Sequence, residues 1–243
     1  MDEIVAALAA QHGELADLLD GLVGPAWSAP TRCPGWDVSD VVLHLVQTDA
    51  MAVDSATGTF GGGGAGRIDE GAALLVAAGR GVPHDELRAR WGTGARRLVE
   101  ALDGMDLSTR VPWVAGELSA RTLATTRLAE TWIHGGDVAE AVGVRPVPTD
   151  RLRHIARLAW RTLPYAFDTA GRILSGPVAF RLTGTDGTHW DFGSDEEAVT
   201  VVVGPAADLC AVAARRVDPS TTALRAEGPD AADVLDLVRT YAV

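Results

Sequence analysis

The chain contains no lysine. All 21 of its basic residues are arginine, set against 33 acidic ones for a net charge of −12. So acidic a balance repels phosphate backbones and argues against non-specific nucleic-acid binding. Cysteine is scarce as well: Cys33 and Cys210 are the only two. They lie far apart and outside any Cys-x-x-Cys pair, so neither a thiolate zinc site nor a disulfide framework has support. Apolar runs of the ~20 residues that span a membrane are missing. The acidic start, Met1-Asp2-Glu3-Ile4, has neither the basic segment nor the apolar core of a secretory signal. A cytoplasmic protein is expected. The nucleotide-binding signatures are missing too. No strand leads into a Gly-x-Gly-x-x-Gly, no Gly-x-x-x-x-Gly-Lys-Ser/Thr exists, and no Gly-x-Ser-x-Gly elbow marks a serine hydrolase.

What is present is apolar periodicity over most of 243 residues, enough for one large domain or two small ones. Ile4, Leu8, Leu15, Leu18, Leu19 and Leu22 recur at helical spacing over residues 2–22, and Gly24-Pro25 stops the run. A proline-rich loop ends at Trp36. Asp37 then caps a second helix to about 56, with Asp40 adding favourable charge in its first turn. Residues 57–67 hold four consecutive glycines and read as a surface connection or a flap over a site. Helices follow over 68–79, 84–103 and 118–142.

Two prolines in 143–149 mark a boundary, giving domains 1–146 and 147–243. Past it, a fifth helix runs to about 170, interrupted at Pro164. The pattern then changes. Residues 178–182 and 188–192 alternate around Gly184-Thr185-Asp186-Gly187 as a hairpin, 199–203 forms a third strand, and helices close the chain over 206–216 and 229–241. The fold class is therefore α followed by α+β: a four-helix bundle with a small C-terminal α+β domain.

Glu130-Thr131-Trp132-Ile133-His134-Gly135-Gly136-Asp137 carries the chemistry. A carboxylate and an imidazole four residues apart share one helix face. His44 is a third donor on another helix, and bundles build metal sites from facing helices. Two histidines and one carboxylate suit Zn²⁺, and also Fe²⁺, Ni²⁺ or Mn²⁺, and leave open positions for chemistry. Asp137 is either a fourth ligand or the acceptor of a ligand histidine's second N–H. Each histidine also has a plainer reading as a surface or hydrogen-bonded core residue. Against it stand the apolar neighbours Val41, Val42 and Leu45 of His44, and Leu128, Trp132 and Ile133 of the pair. A glutamate among such residues is costly unless paired or metal-bound. Cys33 reads as a half-buried small residue or a reactive thiol. Trp36 anchors the helix entry or stacks on a ligand. Trp91, Trp113, Trp132 and Trp160 read as core. His12 and His84 look exposed, although His12 lies near enough to approach the bundle core.

The run Cys33-Pro34-Gly35-Trp36-Asp37-Val38-Ser39-Asp40-Val41-Val42-Leu43-His44-Leu45 resembles the Pro-Gly-Trp…His-Leu signature of the DinB-like metal enzymes. Glu130-x-x-x-His134-x-x-Asp137 resembles the second metal motif of their mycothiol-dependent maleylpyruvate isomerase group, and the C-terminal part is similar to a sterol-carrier-like domain. The resemblance implies a DinB-like bundle holding zinc, or another divalent metal such as Ni²⁺ or Fe²⁺, through His44, Glu130 and His134. It implies mycothiol or a similar low-molecular-weight thiol as cofactor, and a small electrophilic substrate. In an isomerase of this kind the thiolate adds to an activated double bond, the bond rotates and the thiol leaves; in an S-transferase the thiol stays attached. It further implies a cationic catalytic residue for a carboxylated substrate, matched most nearly by Arg216 of the Arg215-Arg216 pair, which also reads as a favourable helix terminus. The rivals are a non-haem iron enzyme with two histidines and one carboxylate, and a metal-stabilised ligand-binding module without catalysis. No nucleic acid or membrane partner is expected, and the acidic surface fits a monomer or a homodimer.

Overall fold

The computed structural model describes residues 1–61, 68–114 and 116–240, with the side chains of all of these except Ile68 and Asp69. Residues 62–67, the centre of the glycine-rich connection or flap, lie outside them. The chain divides into two units, one spanning Met1–Pro146 and one beginning at Val147.

The first unit is built on α1 (Glu3–Asp20), α2 (Val38–Thr57), α3 (Ile68–Gly79), α4 (His84–Asp103) and α5 (Ala120–Ala141). Three of its helices, α1, α2 and α5, begin at polar caps. Asp2 accepts from Ile4 N, Ser119 from Thr122 N, and Asp37 and Asp40 form a reciprocal capping box at the start of α2. Four of these helices close a ring in which α1 packs on α4 and α5, and α2 packs on the same two. Leu15, Leu19, Val41, Val42, Leu45, Leu87, Trp91 and Val138 fill the space between them. α3 lies against α2, outside the ring.

A two-stranded antiparallel hairpin, β1 (Arg110–Trp113) with β2 (Gly116–Ser119), precedes α5. The sequence pattern missed it because Pro112 sits inside a four-residue strand, where it normally argues against strand. His12 is another correction. Only 6% exposed, it faces the bundle interior, because its position falls on the Leu8/Leu15 side of α1. His84 is half-buried and stacks on Trp27 with ring centroids 5.1 Å apart. Of the four tryptophans read as core, Trp91 is buried, while Trp113, Trp132 and Trp160 are half-buried.

The second unit holds α6 (Leu152–Arg161), α7 (Leu163–Thr169), β3 (Val178–Thr183), β4 (His189–Phe192), β5 (Thr200–Pro205), α8 (Ala206–Ala213), β6 (Arg225–Glu227) and α9 (Ala231–Leu237). Pro164 separates α6 from α7 by standing in the first turn of the latter, where its missing N–H costs nothing. The sheet runs β4-β3-β5-β6. The β3–β4 hairpin is antiparallel, and β5 joins the other edge of β3 in parallel, with Phe180 opposite Val202. The short strand β6 was not legible, since three residues carry no period. Gly228 follows it at φ +115, where a Cβ would stand 2.2 Å from Val199 O. α8 ends three residues earlier than its apolar pattern suggested, because Arg215 leaves the helix at φ +58.

A candidate metal centre in the helical bundle

Three segments of the first unit meet at one place. The loop before α2 is folded by its own sequence. Cys33-Pro34-Gly35-Trp36 closes as a β-turn, with Trp36 N donating to Cys33 O at 3.0 Å and Gly35 at φ +78, the proline–glycine pattern of a type II turn. Thr31 braces the turn, its hydroxyl donating to Trp36 O and accepting from Cys33 N. Arg32 ties the loop to α5 through Glu140, with Nε and Oε2 2.8 Å apart. The turn directs Cys33 towards α5 and sets Trp36 against His44 on α2, ring centroids 5.2 Å apart.

His44, Glu130 and His134 come together. His44 Nε2 lies 3.4 Å from Glu130 Oε2, and His134 Nε2 lies 3.5 Å from the same oxygen. The two imidazoles meet edge to face at 4.9 Å. A tetrahedral ion with bonds of ~2.0–2.1 Å spaces its ligand atoms about 3.3 Å apart, so this donor set fits a divalent cation in both chemistry and spacing. Two nitrogens and one carboxylate oxygen leave a fourth position for an exogenous ligand.

Asp137 stands on the other side of His134. Its Oδ2 is 3.1 Å from Nδ1, while Nε2 faces Glu130. The carboxylate therefore holds the second ring nitrogen and orients the imidazole, as carboxylates behind metal-ligating histidines do. Cys33 Sγ donates to Asp137 Oδ2 at 3.3 Å and lies 3.9 Å from His134 Nδ1. Cys33, His134 and Asp137 form a second close group of metal-type donors that shares His134 with the first.

The charge states follow from this packing. Burial pushes the His44 imidazole below its ordinary value, and the contact with Glu130 only partly offsets that, so His44 is neutral near pH 7. Burial alone would raise Glu130, but hydrogen bonds from His134 and His44 outweigh it and hold the carboxyl well below its usual range. Burial would likewise lower His134, yet Asp137, Cys33 and Glu130 together lift it well above the ordinary imidazole value. A proton thus sits where a metal ion would bind.

Arg216 belongs to the second unit, just past α8, where its Nη1 donates to Ala214 O at 2.9 Å. Two features of the first unit were missed in the sequence. A cleft of about 630 Å³ is lined by Trp36, Asp40, Leu43, Arg80 and His84 among others, with Arg80 clamping Asp40 at 2.9 and 2.7 Å. Beneath the donor triad, Arg127 and Asp49 form a buried ion pair. An arginine three residues before Glu130, within the run Leu123 to Leu128, was the available signal for that pair.

Comparison with known proteins identifies the fold and the family. Two uncharacterised proteins from two strains of Mycobacterium tuberculosis are each 34% identical to the chain, covering 98% of it and 95% of their own length. Among solved structures, a histidine-to-alanine variant of the mycothiol-dependent maleylpyruvate isomerase superposes with a TM-score of 0.64 at 18% identity. It covers 94% of this chain and 95% of the other. A second structure of that isomerase gives 0.62 at 20% identity with the same coverage. At such identity the likeness establishes the fold, a helical N-terminal region followed by a small sheet domain. Residues 8–139, more than half of the chain, match the mycothiol maleylpyruvate isomerase N-terminal domain, and it is to this family, within the DinB-like superfamily, that the chain belongs.

Proposed function

We propose that the chain is a metal- and thiol-dependent isomerase of the maleylpyruvate isomerase type, with His44, Glu130 and His134 as ligands of a divalent cation, zinc in the first instance. The observation that carries this reading is the convergence of two imidazole nitrogens on one carboxylate oxygen at 3.4 and 3.5 Å, from two helices of a bundle. The cation, when bound, supplies the positive charge that keeps a low-molecular-weight thiol ionised at neutral pH. Everything else is the work of the chain. Asp137 accepts the Nδ1–H of His134, which leaves Nε2 to face the cation. Trp36 lies against the His44 ring and restrains it. Val41, Leu45 and Ile133, close in sequence to the ligands, are buried. Family membership supports mycothiol as the thiol and a small unsaturated acid as the substrate.

We assign the substrate carboxylate to Arg216, on the family resemblance. Arg216→Gln then raises KM about tenfold or more with a smaller change in kcat, since a cation bound equally to ground and transition states acts mainly on binding. The primary test is metal content by elemental analysis together with turnover of maleylpyruvate with and without mycothiol. Purified protein holding one zinc per chain and active only with the thiol is the expected result. A protein without a stoichiometric divalent metal, or one equally active without thiol, overturns the proposal.

A further inference from the structure

A second polar cluster lies in the bundle interior, one helical turn from the donor triad. Arg127 on α5 and Asp49 on α2 have side chains only 2% and 0% exposed. Arg127 Nε donates to Asp49 Oδ1 at 3.0 Å, and its Nη2 donates to Thr48 Oγ1 at 2.8 Å. Thr48 Oγ1 in turn donates to His44 O at 2.8 Å. Arg127 precedes Glu130 by one turn and Thr48 follows His44 by one turn, so the cluster bridges the same two helices that carry the triad. His12 of α1 and Trp91 of α4 close it, their rings meeting edge to face at 5.9 Å. His12 Nε2 stands 4.0 Å from Asp49 Oδ2, too far for a hydrogen bond. Both ring nitrogens of His12, Asp49 Oδ2 and Trp91 Nε1 are buried, with no hydrogen-bond partner among the described residues.

Such a cluster is a poor device for stability. Removing two charges from water is costly, and orphaned polar atoms add to that cost. Apolar replacement of a buried ion pair often leaves stability unchanged or raises it. The best-attested use of a buried polar contact is to fix register. Register matters here because the triad is divided between helices, with His44 on one and Glu130 and His134 on the other. A shift by one residue moves a helix by 1.5 Å, enough to take His44 out of a shared coordination sphere. Apolar side chains tolerate small slides. A planar guanidinium bonded to two neighbouring residues of the facing helix does not.

We propose that Arg127 and Asp49 are positioning residues for the metal centre, their ion pair fixing the register of α2 against α5 so that His44 meets Glu130 and His134. This rests on the reading of the triad as a metal site, which the same experiment checks. Wild type, His134→Ala, the double variant Arg127→Met/Asp49→Leu and the single variant Arg127→Lys are compared. Zinc affinity is measured by chelator competition, the ligand field by the visible spectrum of the cobalt-loaded protein, and folding by thermal melts. The double variant is expected to melt at or above the wild-type temperature, to bind zinc ten- to a hundredfold more weakly and to show an altered cobalt spectrum. Arg127→Lys keeps the charge but not the fork, and is expected to weaken zinc by about tenfold; it serves should the double variant not fold. Folded variants that bind zinc within twofold of wild type, with the same cobalt spectrum, overturn the proposal alone. Wild type that binds neither ion, or His134→Ala that binds as wild type does, overturns the metal reading and this inference with it.

Discussion

The two cysteines occupy opposite settings, and through them the two units can be compared. Cys33, in the first unit, is half-buried, bonded to Asp137 and beside His134. Cys210, in the second, is fully buried; burial raises its thiol, whose S–H points to Leu152 O. The contrast extends to the interiors around them. The first unit buries His12, His44, Asp49, Arg127 and Asp137, groups that cost free energy to bury. Asp230 of the second unit serves its backbone instead, accepting from Ser175 N and Oγ. A core that buries charge where an apolar side chain would fit is departing from the rule of folding, and such departures gather at functional sites. On the proposed reading the bundle is where chemistry was built in, while the interior of the sheet unit is packed for stability.

The most forceful attempt to break this contrast is His134→Ala. If the polar interior of the first unit exists for metal chemistry, the variant loses its zinc and at least a hundredfold in turnover while its far-ultraviolet dichroism stays that of a helical protein. A variant that keeps its metal would make the buried polar groups a structural peculiarity. Next in size is the difference between the thiols. Under native conditions a disulfide reagent should modify Cys33 at least a hundredfold faster than Cys210, which becomes reactive only on unfolding. Zinc should slow the labelling of Cys33 and leave Cys210 unaffected. Equal rates would erase the distinction. Smaller again is Asp230→Ala, which leaves the Ser175 amide without its acceptor and should cost about 1–3 kcal/mol by denaturant unfolding. Zinc affinity should be unchanged, because the second unit contributes none of the proposed ligands.

How far these features could be read from the sequence differs between the units for physical reasons. Helices α1, α2 and α4 were visible because a 3.6-residue apolar period accumulates over 18 to 20 residues, with Asp37 marking the start of the second; α5 shows little such period, since Arg127, Thr131 and Asp137 are among its buried residues. Strands β1, β2 and β6 hold only three or four residues, and Pro112 counts against the first of them. At the site, Glu130 and His134 announced themselves by spacing along one helix. His44 was reached only by its apolar company and by the family signature around it. Asp137 could not be assigned, since residues three apart share a face whether they ligate together or hold one another. The distance of 3.1 Å to Nδ1, with Nε2 turned to Glu130, supports the second role on the proposed reading. The Arg127–Asp49 pair stayed hidden because contacts across a bundle leave no period in either helix.

The last test sharpens the comparison by asking how many protons the metal must displace. His134 is lifted well above its ordinary value, His44 is lowered and Glu130 is held well below the carboxylate range. Near neutral pH one ligand therefore carries a proton and two do not. Zinc affinity of the metal-free protein should rise about tenfold per pH unit from the neutral range up to the elevated value of His134, then level off. Calorimetry in buffers of different ionisation enthalpy should find one proton released per zinc. Two protons would mean that burial does not keep His44 neutral, and none would mean that Asp137, Cys33 and Glu130 do not hold His134 charged. The stability of the metal-free protein supplies the complementary sign. The contribution of His134 is fully present below its unfolded value and is lost as pH rises through the elevated folded one. That of Glu130 is present above its unfolded value and is lost as pH falls through the depressed one. His44 opposes both at the acid side, since its neutral folded form is penalised as pH falls below its ordinary value. A metal-free protein less stable in mild alkali, and a zinc-loaded one freed of that loss, would show that the metal takes the place of the proton on His134.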